Sequence, residues 1–290
     1  MTQSEQQTRM VGLLGWPVSH SLSPLMQNAA LQAAGIDARY VALPARPEGI
    51  EEIVHQIRCG NYVGSNVTIP HKVAVAGLMD RLTREANICG AVNTIRVEKD
   101  RTLTGHNTDC LGAIRAVESD GATVKGKNCL IIGAGGAGRG VAVGCALAGA
   151  KRITILNRTL HNANAIVHAL ESSAELPRGI VWEAVELFEQ GRSSNVDWNG
   201  VDVAFQVTRV GMDSSQGLPL DPALLPPHCH VLESIYAPLE TEFLFRCRAK
   251  GLRTSDGLSM LLEQGAASFE FWFDVKPDRS VMRKALDSAL

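Results

Sequence analysis

Residues 128–138 read NCLIIGAGGAG, an apolar run that passes directly into a turn of glycine and alanine. The segment that follows, 139–148, has helical character, so the sequence predicts a β-strand, a tight turn and a helix. In that arrangement Gly133 permits the turn, Gly135 lets backbone N–H groups approach a pyrophosphate, and Gly138 allows close packing of helix and strand. The N-terminus of the helix offers unpaired donors and the positive end of its dipole to the phosphates.

The glycine turn therefore predicts a nicotinamide dinucleotide as cofactor. The residues expected to hold its pyrophosphate are Gly133, Ala134, Gly135, Gly136 and Ala137.

The end of the next predicted strand bears on which dinucleotide is bound. Asn157, Arg158 and Thr159 follow that strand. An NAD enzyme would place an acidic residue there, about 20 residues past the first glycine, to accept from the ribose 2′-hydroxyl. Arg158 instead offers a guanidinium suited to a 2′-phosphate, and Thr159 adds a hydroxyl, unless the arginine points into solvent. The sequence favours NADP and leaves NAD open.

Length and composition limit the class of protein. At 290 residues the chain exceeds the size at which one hydrophobic core usually stops growing, which predicts two domains. A hydrophobic content of 45% with 20% charged residues is typical of a packed globular protein. The formal net charge of -2 lacks the basic excess that a nucleic-acid or anionic membrane surface needs. We therefore expect a small-molecule substrate and neither nucleic acid nor membrane as partner.

The location and the metal content follow from similar reasoning. Residues 2–9 are polar and lack the apolar core of a signal peptide, and no run approaches a membrane span, so we expect a cytoplasmic protein. The seven cysteines are scattered through apolar segments, where a free thiol behaves as a small hydrophobe. His228, Cys229 and His230 form one tight cluster, but two more ligands at suitable spacing are not evident, and we predict no metal.

The remaining pattern predicts an α/β fold. Strand, helix, strand, helix and strand precede residue 68 and imply a mainly parallel sheet, with Ser23 as N-cap and Pro24 at the start of the first helix. The other predicted elements are a hairpin with arms 93–98 and 102–106, strands at 152–156, 201–205 and 231–235, and helices from after Asp109 to about Ser119, at about 259–273 and from Pro277.

Four short polar motifs lie upstream of the glycine turn, where strands are predicted to end. They are SHSLSP at 19–24, NVTIPHK at 66–72, GAVNT at 90–94 and GHNTD at 105–109. Ligands bind at such strand ends in open α/β sheets, and hydroxyls, amides, one lysine and one aspartate suit a small, oxygen-rich, anionic molecule. Each motif alone could be turn chemistry, but four in one half of the chain favour a binding site.

These motifs, in this order, resemble those of the shikimate/quinate dehydrogenase family over nearly the whole chain. The similarity also includes the glycine turn, Asn157-Arg158-Thr159, Val210-Gly211-Met212, Tyr236 with Pro238 and Thr241, and 257–261 through Gln264. The resemblance implies an alcohol dehydrogenase that reversibly reduces 3-dehydroshikimate to shikimate with a nicotinamide cofactor. That reaction belongs to the chorismate route of aromatic amino acid biosynthesis.

The resemblance also implies residue roles. Lys72 would serve as acid/base at the reacting oxygen, paired with Asp109, and Ser21 and Ser23 would bind the ring carboxylate. The positions that would hold the carboxylate or the ring hydroxyls are Asn66, Thr68, Asn93, Tyr236 and Gln264, and Gly257 and Met260 would contact the cofactor. An unperturbed lysine has a pKa of about 10.4, which burial would lower and a nearby aspartate would raise, so the pair should titrate together.

The implied architecture is an α/β substrate-binding domain with an inserted Rossmann-type domain, a doubly wound parallel sheet. We expect the substrate domain at 1–109, the cofactor domain at 110–255, and C-terminal helices at 256–290 that return to the substrate domain. The protein would be a monomer or a homodimer.

Several residues depart from the common family pattern. They are Trp16, Asn162, Gln206, Arg209, Glu233 and Ala237. Arg209 could compensate for Asn162, which replaces a basic residue near the 2′-phosphate, or could contact a more anionic substrate. A quinate or quinate/shikimate dehydrogenase, with either NADP or NAD as cofactor, is therefore an alternative hypothesis. A non-catalytic cofactor-binding homologue is another, although its expected signature, the loss of Lys72 or Asp109, is missing.

Overall fold

The structure, a computed structural model, describes residues 8–188, 196–212 and 217–289. The chain divides into two compact units, the first formed by residues 1–108 and 264–290 and the second by residues 109–263. Each unit is built on a six-stranded sheet with helices around it, which confirms the predicted α/β class.

The sheet of the first unit is mixed. Its strands are β1 Arg9–Gly15, β2 Ala38–Pro44, β3 Tyr62–Val67, β4 Arg81–Leu82, β5 Thr94–Val97 and β6 Leu103–His106, in the spatial order β2-β1-β3-β5-β6-β4. Its first helices are α1 Ser23–Ala33, α2 Ile50–Cys59, α3 Lys72–Ala76 and α4 Arg84–Cys89. β1 pairs in parallel with β2 and β3, as the alternation of strands and helices predicts. β5 and β6 pair antiparallel and form the predicted hairpin.

The start of α1 differs from the prediction. Ser23 is the first helical residue, and the N-cap is Leu22, which makes no side-chain capping bond, so the expected N-cap was wrong. The backbone N–H of Ser23 donates to the Ser21 hydroxyl at 3.2 Å, so the upstream serine satisfies this orphan donor of the first turn. The Ser23 hydroxyl instead hydrogen-bonds Tyr40.

The second unit has the strand order of a dinucleotide-binding domain. Its strands are β7 Asn128–Ile132, β8 Arg152–Asn157, β9 Val181–Glu186, β10 Val203–Gln206, β11 His230–Glu233 and β12 Arg253–Ser255. The helices are α5 Asp109–Ser119, α6 Gly136–Leu147, α7 Leu160–Glu171 and α8 Glu242–Ala249. The spatial order is β12-β11-β10-β7-β8-β9 with parallel pairs, so the chain starts in the middle, runs out to one edge and then crosses to the other side. This is the predicted doubly wound sheet, and its switch point lies between β7 and β10.

The last helices are α9 Gly257–Phe273 and α10 Arg279–Asp287. α9 starts in the second unit, where a Cβ on Gly257 would lie 2.3 Å from the carbonyl oxygen of Ile235. It ends in the first unit, where the Trp272 indole N–H donates to the carbonyl of Ile95 at 2.8 Å. The chain therefore changes unit inside α9, at residue 264, whereas the sequence placed that boundary at residue 256.

Three further observations concern the described part of the chain. No helix there is both long enough and apolar enough to cross a membrane. No group of three or more side chains there could hold a metal ion. Of the histidine–cysteine cluster, His228 is exposed, whereas Cys229 and His230 are buried.

Candidate active site

The glycine turn of the second unit can be built only with glycine at two positions. Gly133 has φ +120°, and its N–H donates to the carbonyl of Leu156 at 2.8 Å. A Cβ on Gly138 would lie 2.1 Å from the carbonyl oxygen of Gly133, closer than any side chain can approach. The first glycine therefore supplies a backbone conformation that L-residues avoid, and the last lets α6 pack against the turn.

The middle of the turn is open. Gly135 and Gly136 are exposed, and among the described residues no atom lies within 4 Å of a Cβ added to either. Gly135 is the N-cap of α6, a helix of 12 residues, so the free N–H groups of its first turn face this space. An open, side-chain-free approach to a helix N-terminus fits a pyrophosphate.

Asn157 connects this turn to the loop that follows β8. Its Oδ1 accepts from the N–H of Ala134 at 3.2 Å, and its Nδ2 donates to the carbonyl of Thr159 at 2.9 Å. Arg158 and Thr159 themselves are exposed, and Thr159 is the N-cap of α7 without a side-chain capping bond. Asn157 thus holds the loop in place, and the Arg158 guanidinium and the Thr159 hydroxyl project from this loop.

The loop after β10 is shaped by Gln206, one of the departures from the family pattern. Its Oε1 accepts from both the N–H and the hydroxyl of Thr208 at 2.9 Å, and its Nε2 donates to the carbonyl of Val210 at 3.0 Å. These bonds close the loop on itself and leave Arg209 exposed at its tip. Since a Cβ on Gly133 would lie 2.9 Å from Thr208, the loop stands beside the glycine turn.

Glu233, another departure, is a buried carboxyl at the end of β11. It accepts from the N–H of Ile235 and from the Thr241 hydroxyl, both at 3.0 Å. Burial raises the pKa of Glu233 to about 7, and the hydrogen bonds oppose that shift only in part. The bonds fix the segment that leads to Tyr236, which is half-buried.

The first unit contains a buried cluster of amides and hydroxyls beside its strand ends. Its members are Asn66, Asn93, Thr94, Thr108 and Ser268, which we call the polar cluster. Asn93 is central, because its Oδ1 accepts the N–H of Thr108 at 2.8 Å and the hydroxyl of Thr94 at 2.9 Å. Its Nδ2 donates to the Thr108 hydroxyl at 3.0 Å.

Asn66 is equally engaged within the protein. Its Nδ2 lies 2.9 Å from the Ser268 hydroxyl and 3.1 Å from that of Thr94, and its Oδ1 accepts from the Tyr40 hydroxyl at 2.9 Å. The two asparagines that the sequence assigned to substrate binding therefore also organise the interior.

Backbone bonds tie the predicted acid/base residues to this cluster. Lys72 is the first residue of α3 and is half-buried, and its carbonyl accepts the N–H of Val92, the neighbour of Asn93, at 2.8 Å. Asp109 is buried at the start of α5, directly after Thr108. Each residue is thus joined to Asn93 by one hydrogen bond and one peptide link.

The other predicted site residues lie on the same two units. Ser21 and Thr68 are half-buried in the first unit, where the N–H of Thr68 donates to the carbonyl of Leu14 at 2.8 Å. Gln264 is half-buried on α9, and its carbonyl accepts the Ser268 hydroxyl at 3.0 Å. Met260 is buried near the start of the same helix.

Sequence reasoning missed four members of this arrangement. Thr94 and Thr108 lie inside two of the polar motifs, at 90–94 and 105–109. Ser268 lies four residues after Gln264, one helical turn away, so the sequence contained a signal for these three residues. Tyr40 is the one buried residue of the edge strand β2 and carried no signal.

Comparison with known proteins gives a consistent result along the chain. Residues 13–95 match the shikimate dehydrogenase substrate binding domain, residues 115–178 match shikimate/quinate 5-dehydrogenase, and residues 257–286 match the shikimate 5′-dehydrogenase C-terminal domain. A shikimate dehydrogenase (NADP(+)) of Geobacter sp. (strain M21) is 39% identical over 98% of this chain and 96% of that protein.

Two solved structures are similar over nearly their full length. One is shikimate 5-dehydrogenase from Thermus thermophilus in complex with NADP(H) and shikimate, with a TM-score of 0.83 and 34% identity over 97% of this chain and 100% of that one. The other is 5-ketofructose reductase of Gluconobacter sp. strain CHM43 in ligand-free form, with a TM-score of 0.87 and 31% identity over 98% and 100% of the two chains.

Proposed function

Because this chain belongs to the shikimate dehydrogenase family, an oxidoreductase family that acts on an alcohol group, we propose that it reversibly reduces 3-dehydroshikimate to shikimate with NADP as cofactor. The observation that carries the proposal is the linkage of Lys72, Asn93 and Asp109. The carbonyl of Lys72 holds Val92 at 2.8 Å, and Asn93 holds the residue before Asp109 at 2.8 Å. The backbones at Lys72 and at Asp109 are thereby both fixed next to Asn93.

The substrate side of the proposal rests on the chemistry of the first unit. Shikimate carries one carboxylate and three ring hydroxyls, which need donors and acceptors of the kind found here. Ser21 and Ser23 would bind the carboxylate, next to the start of α1. The remaining binding groups would be Asn66, Thr68, Asn93, Tyr236 and Gln264.

The cofactor side rests on the second unit. The open turn at 133–137 would hold the pyrophosphate, and Arg158 with Thr159 would hold the 2′-phosphate, because both project from a loop that Asn157 fixes. Gly257 and Met260 complete the proposed set. When bound, the nicotinamide supplies the hydride for reduction or accepts it on oxidation.

The proposed role of Lys72 is to move one proton. As the ring alcohol is oxidised, its hydroxyl proton passes to the amine of Lys72, and on reduction the ammonium returns it to the carbonyl oxygen. Asp109 would stabilise the ammonium by its negative charge. Accordingly, most of the proposed substrate contacts lie in residues 1–109 and the C-terminal helices, and most of the proposed cofactor contacts lie in residues 110–255.

Steady-state kinetics with a panel of substrates tests this function. With NADP⁺, the purified chain should oxidise shikimate at a higher kcat/KM than quinate. With shikimate, the kcat/KM for NADP⁺ should exceed that for NAD⁺. A preference for quinate would support the alternative of a quinate dehydrogenase. Reduction of 5-ketofructose with NADPH belongs in the panel, because a reductase of that sugar has a closely similar structure. That substrate lacks a carboxylate, so efficient turnover would contradict the roles of Ser21 and Ser23.

A further inference from the structure

A continuous line of buried hydrogen bonds crosses the first unit from Ser23 to Gln264. The Ser23 hydroxyl bonds to Tyr40, and the Tyr40 hydroxyl donates to Oδ1 of Asn66 at 2.9 Å. Nδ2 of Asn66 donates to the Ser268 hydroxyl at 2.9 Å, and the Ser268 hydroxyl lies 3.0 Å from the carbonyl of Gln264. We call these four bonds the relay. It begins and ends on residues proposed to bind the substrate.

The direction of the bonds fixes the orientation of the Asn66 amide. Burial raises the pKa of Tyr40, so its phenol stays protonated and donates, while Ser23 donates to the phenol oxygen. Only the carbonyl oxygen of the asparagine can accept from the phenol, so the amide nitrogen must face Ser268. A flipped amide would require the bond between the Tyr40 and Ser23 hydroxyls to reverse its direction.

Ser268 connects the relay to the rest of the polar cluster. Its hydroxyl lies 2.9 Å from that of Thr94 and 3.1 Å from that of Thr108. Those threonines also bond to Asn93. Because Ser268 stands one helical turn after Gln264, its hydroxyl can bond back to the glutamine carbonyl and brace the turn of α9 that presents the glutamine.

Tyr40 and Ser268 have no access to a ligand, since Tyr40 is 2% exposed and Ser268 is 0% exposed. They can act only through the residues that they contact. We infer that Tyr40 and Ser268 are positioning residues that hold Ser23, Asn66 and Gln264 in the geometry that binds the substrate, an inference that rests on the proposed function. The relay couples the carboxylate-binding end of the site to the hydroxyl-binding end.

The test is the steady-state kinetics of Tyr40→Phe and Ser268→Ala, each of which removes one hydroxyl. The expected result is a rise of about tenfold in the KM for shikimate, the scale of one lost buried hydrogen bond, with the KM for NADP⁺ unchanged and kcat within about threefold. Ser268→Cys keeps a weaker donor at the same place and should give an intermediate KM.

The matched control is Trp272→Phe. This substitution also removes one buried hydrogen bond in the first unit, the bond from the Trp272 indole to the carbonyl of Ile95. The Trp272 ring centroid lies 6.1 Å from that of Tyr40, but Trp272 is not part of the relay. The control should lower the Tm as much as the relay variants do, without changing the KM for shikimate.

Two results would overturn the inference. One is an unchanged KM for shikimate in both relay variants of an active enzyme. The other is an equal rise in the control, which would make the effect one of general stability. An inactive wild-type protein would instead overturn the proposed function itself. If Ser268→Ala does not fold, the KM for shikimate of Tyr40→Phe, which lacks a single oxygen atom, tests the inference by itself.

Discussion

The side-chain oxygen of Asn93 accepts the backbone N–H of Thr108 at 2.8 Å. Asn93, which lies between α4 and β5, therefore holds the chain directly before Asp109. The same asparagine follows Val92, whose N–H is bound by the carbonyl of Lys72. Asn93 therefore fixes the backbone beside both proposed acid/base residues, in addition to its proposed contact with the substrate.

Replacement of Lys72 by alanine should lower kcat for shikimate oxidation by about 10²-fold or more, the usual scale for a general acid/base. The fold should be retained, because the backbone carbonyl of residue 72 still accepts from Val92. Steady-state kinetics measures the effect, and Lys99→Ala, at an exposed position, is the control that should keep wild-type rates. Near-normal turnover by Lys72→Ala would remove this residue from the mechanism.

Replacement of Arg158 by alanine should raise the KM for NADP⁺ by about 10- to 100-fold, because a hydrogen bond to a charged group contributes about 1.5–3 kcal/mol. The KM for NAD⁺ should change little, since that cofactor has no 2′-phosphate. Arg178→Ala, another exposed arginine of the second unit, should leave both values unchanged. An equal rise in the KM for NADP⁺ and in the KM for NAD⁺ would place Arg158 at another part of the dinucleotide.

Two glycine-to-alanine variants of the same turn should behave differently. Gly135→Ala has room for its methyl group and should keep the wild-type Tm, but the methyl occupies the space proposed for the pyrophosphate and should raise the KM for NADP⁺. Gly138→Ala forces a Cβ against the carbonyl of Gly133 and should cost about 1–3 kcal/mol of stability. Thermal denaturation and kinetics separate the two effects. Unchanged cofactor binding by a folded Gly135→Ala protein would place the pyrophosphate elsewhere.

The stability of the protein should depend on the ionisation of Glu233. Its pKa rises from 4.5 to about 7 in the folded chain, so the folded state holds this proton more tightly than the unfolded state does. The free energy of unfolding should therefore fall as pH rises from about 4.5 to 7, by at most about 3–4 kcal/mol at about 1.4 kcal/mol per pKa unit. Glu233→Gln, which is neutral at all pH values, should lack this decline.

Urea denaturation at several pH values measures the contribution of Glu233. The control is Glu171→Gln, an exposed glutamate on α7, whose stability should follow the wild-type pH profile. An identical pH profile for Glu233→Gln and the wild-type chain would show that the buried carboxyl is ionised without cost.

Local patterns allowed much of the fold to be predicted. The strand, glycine turn and helix at 128–147 follow from adjacent residues, and α5 ends where the sequence placed its end and begins one residue earlier than predicted. β9 and β12 were missed for physical reasons. β9 is an edge strand with one buried residue, so its apolar pattern is weak, and β12 has only three residues.

The interior of the proposed site was less predictable, because its bonds join distant parts of the chain. Asn66 bonds to Tyr40, 26 residues before it, and to Ser268, 202 residues after it. Motifs indicated which polar residues lie at strand ends, but not which of these residues hydrogen-bond to one another. The helix at 259–273 was predicted, but its change of unit at residue 264 depends on contacts of its two ends, with Ile235 and with Ile95, that join distant parts of the chain.

The most direct test of the proposed function is the rate of NADPH formation when the purified chain is given shikimate and NADP⁺, with quinate and NAD⁺ measured in parallel. We predict that the pair shikimate and NADP⁺ has the highest kcat/KM of the four combinations and that Lys72→Ala abolishes most of this rate. Absence of shikimate turnover with either cofactor, in a protein that binds NADP⁺, would contradict the proposed function.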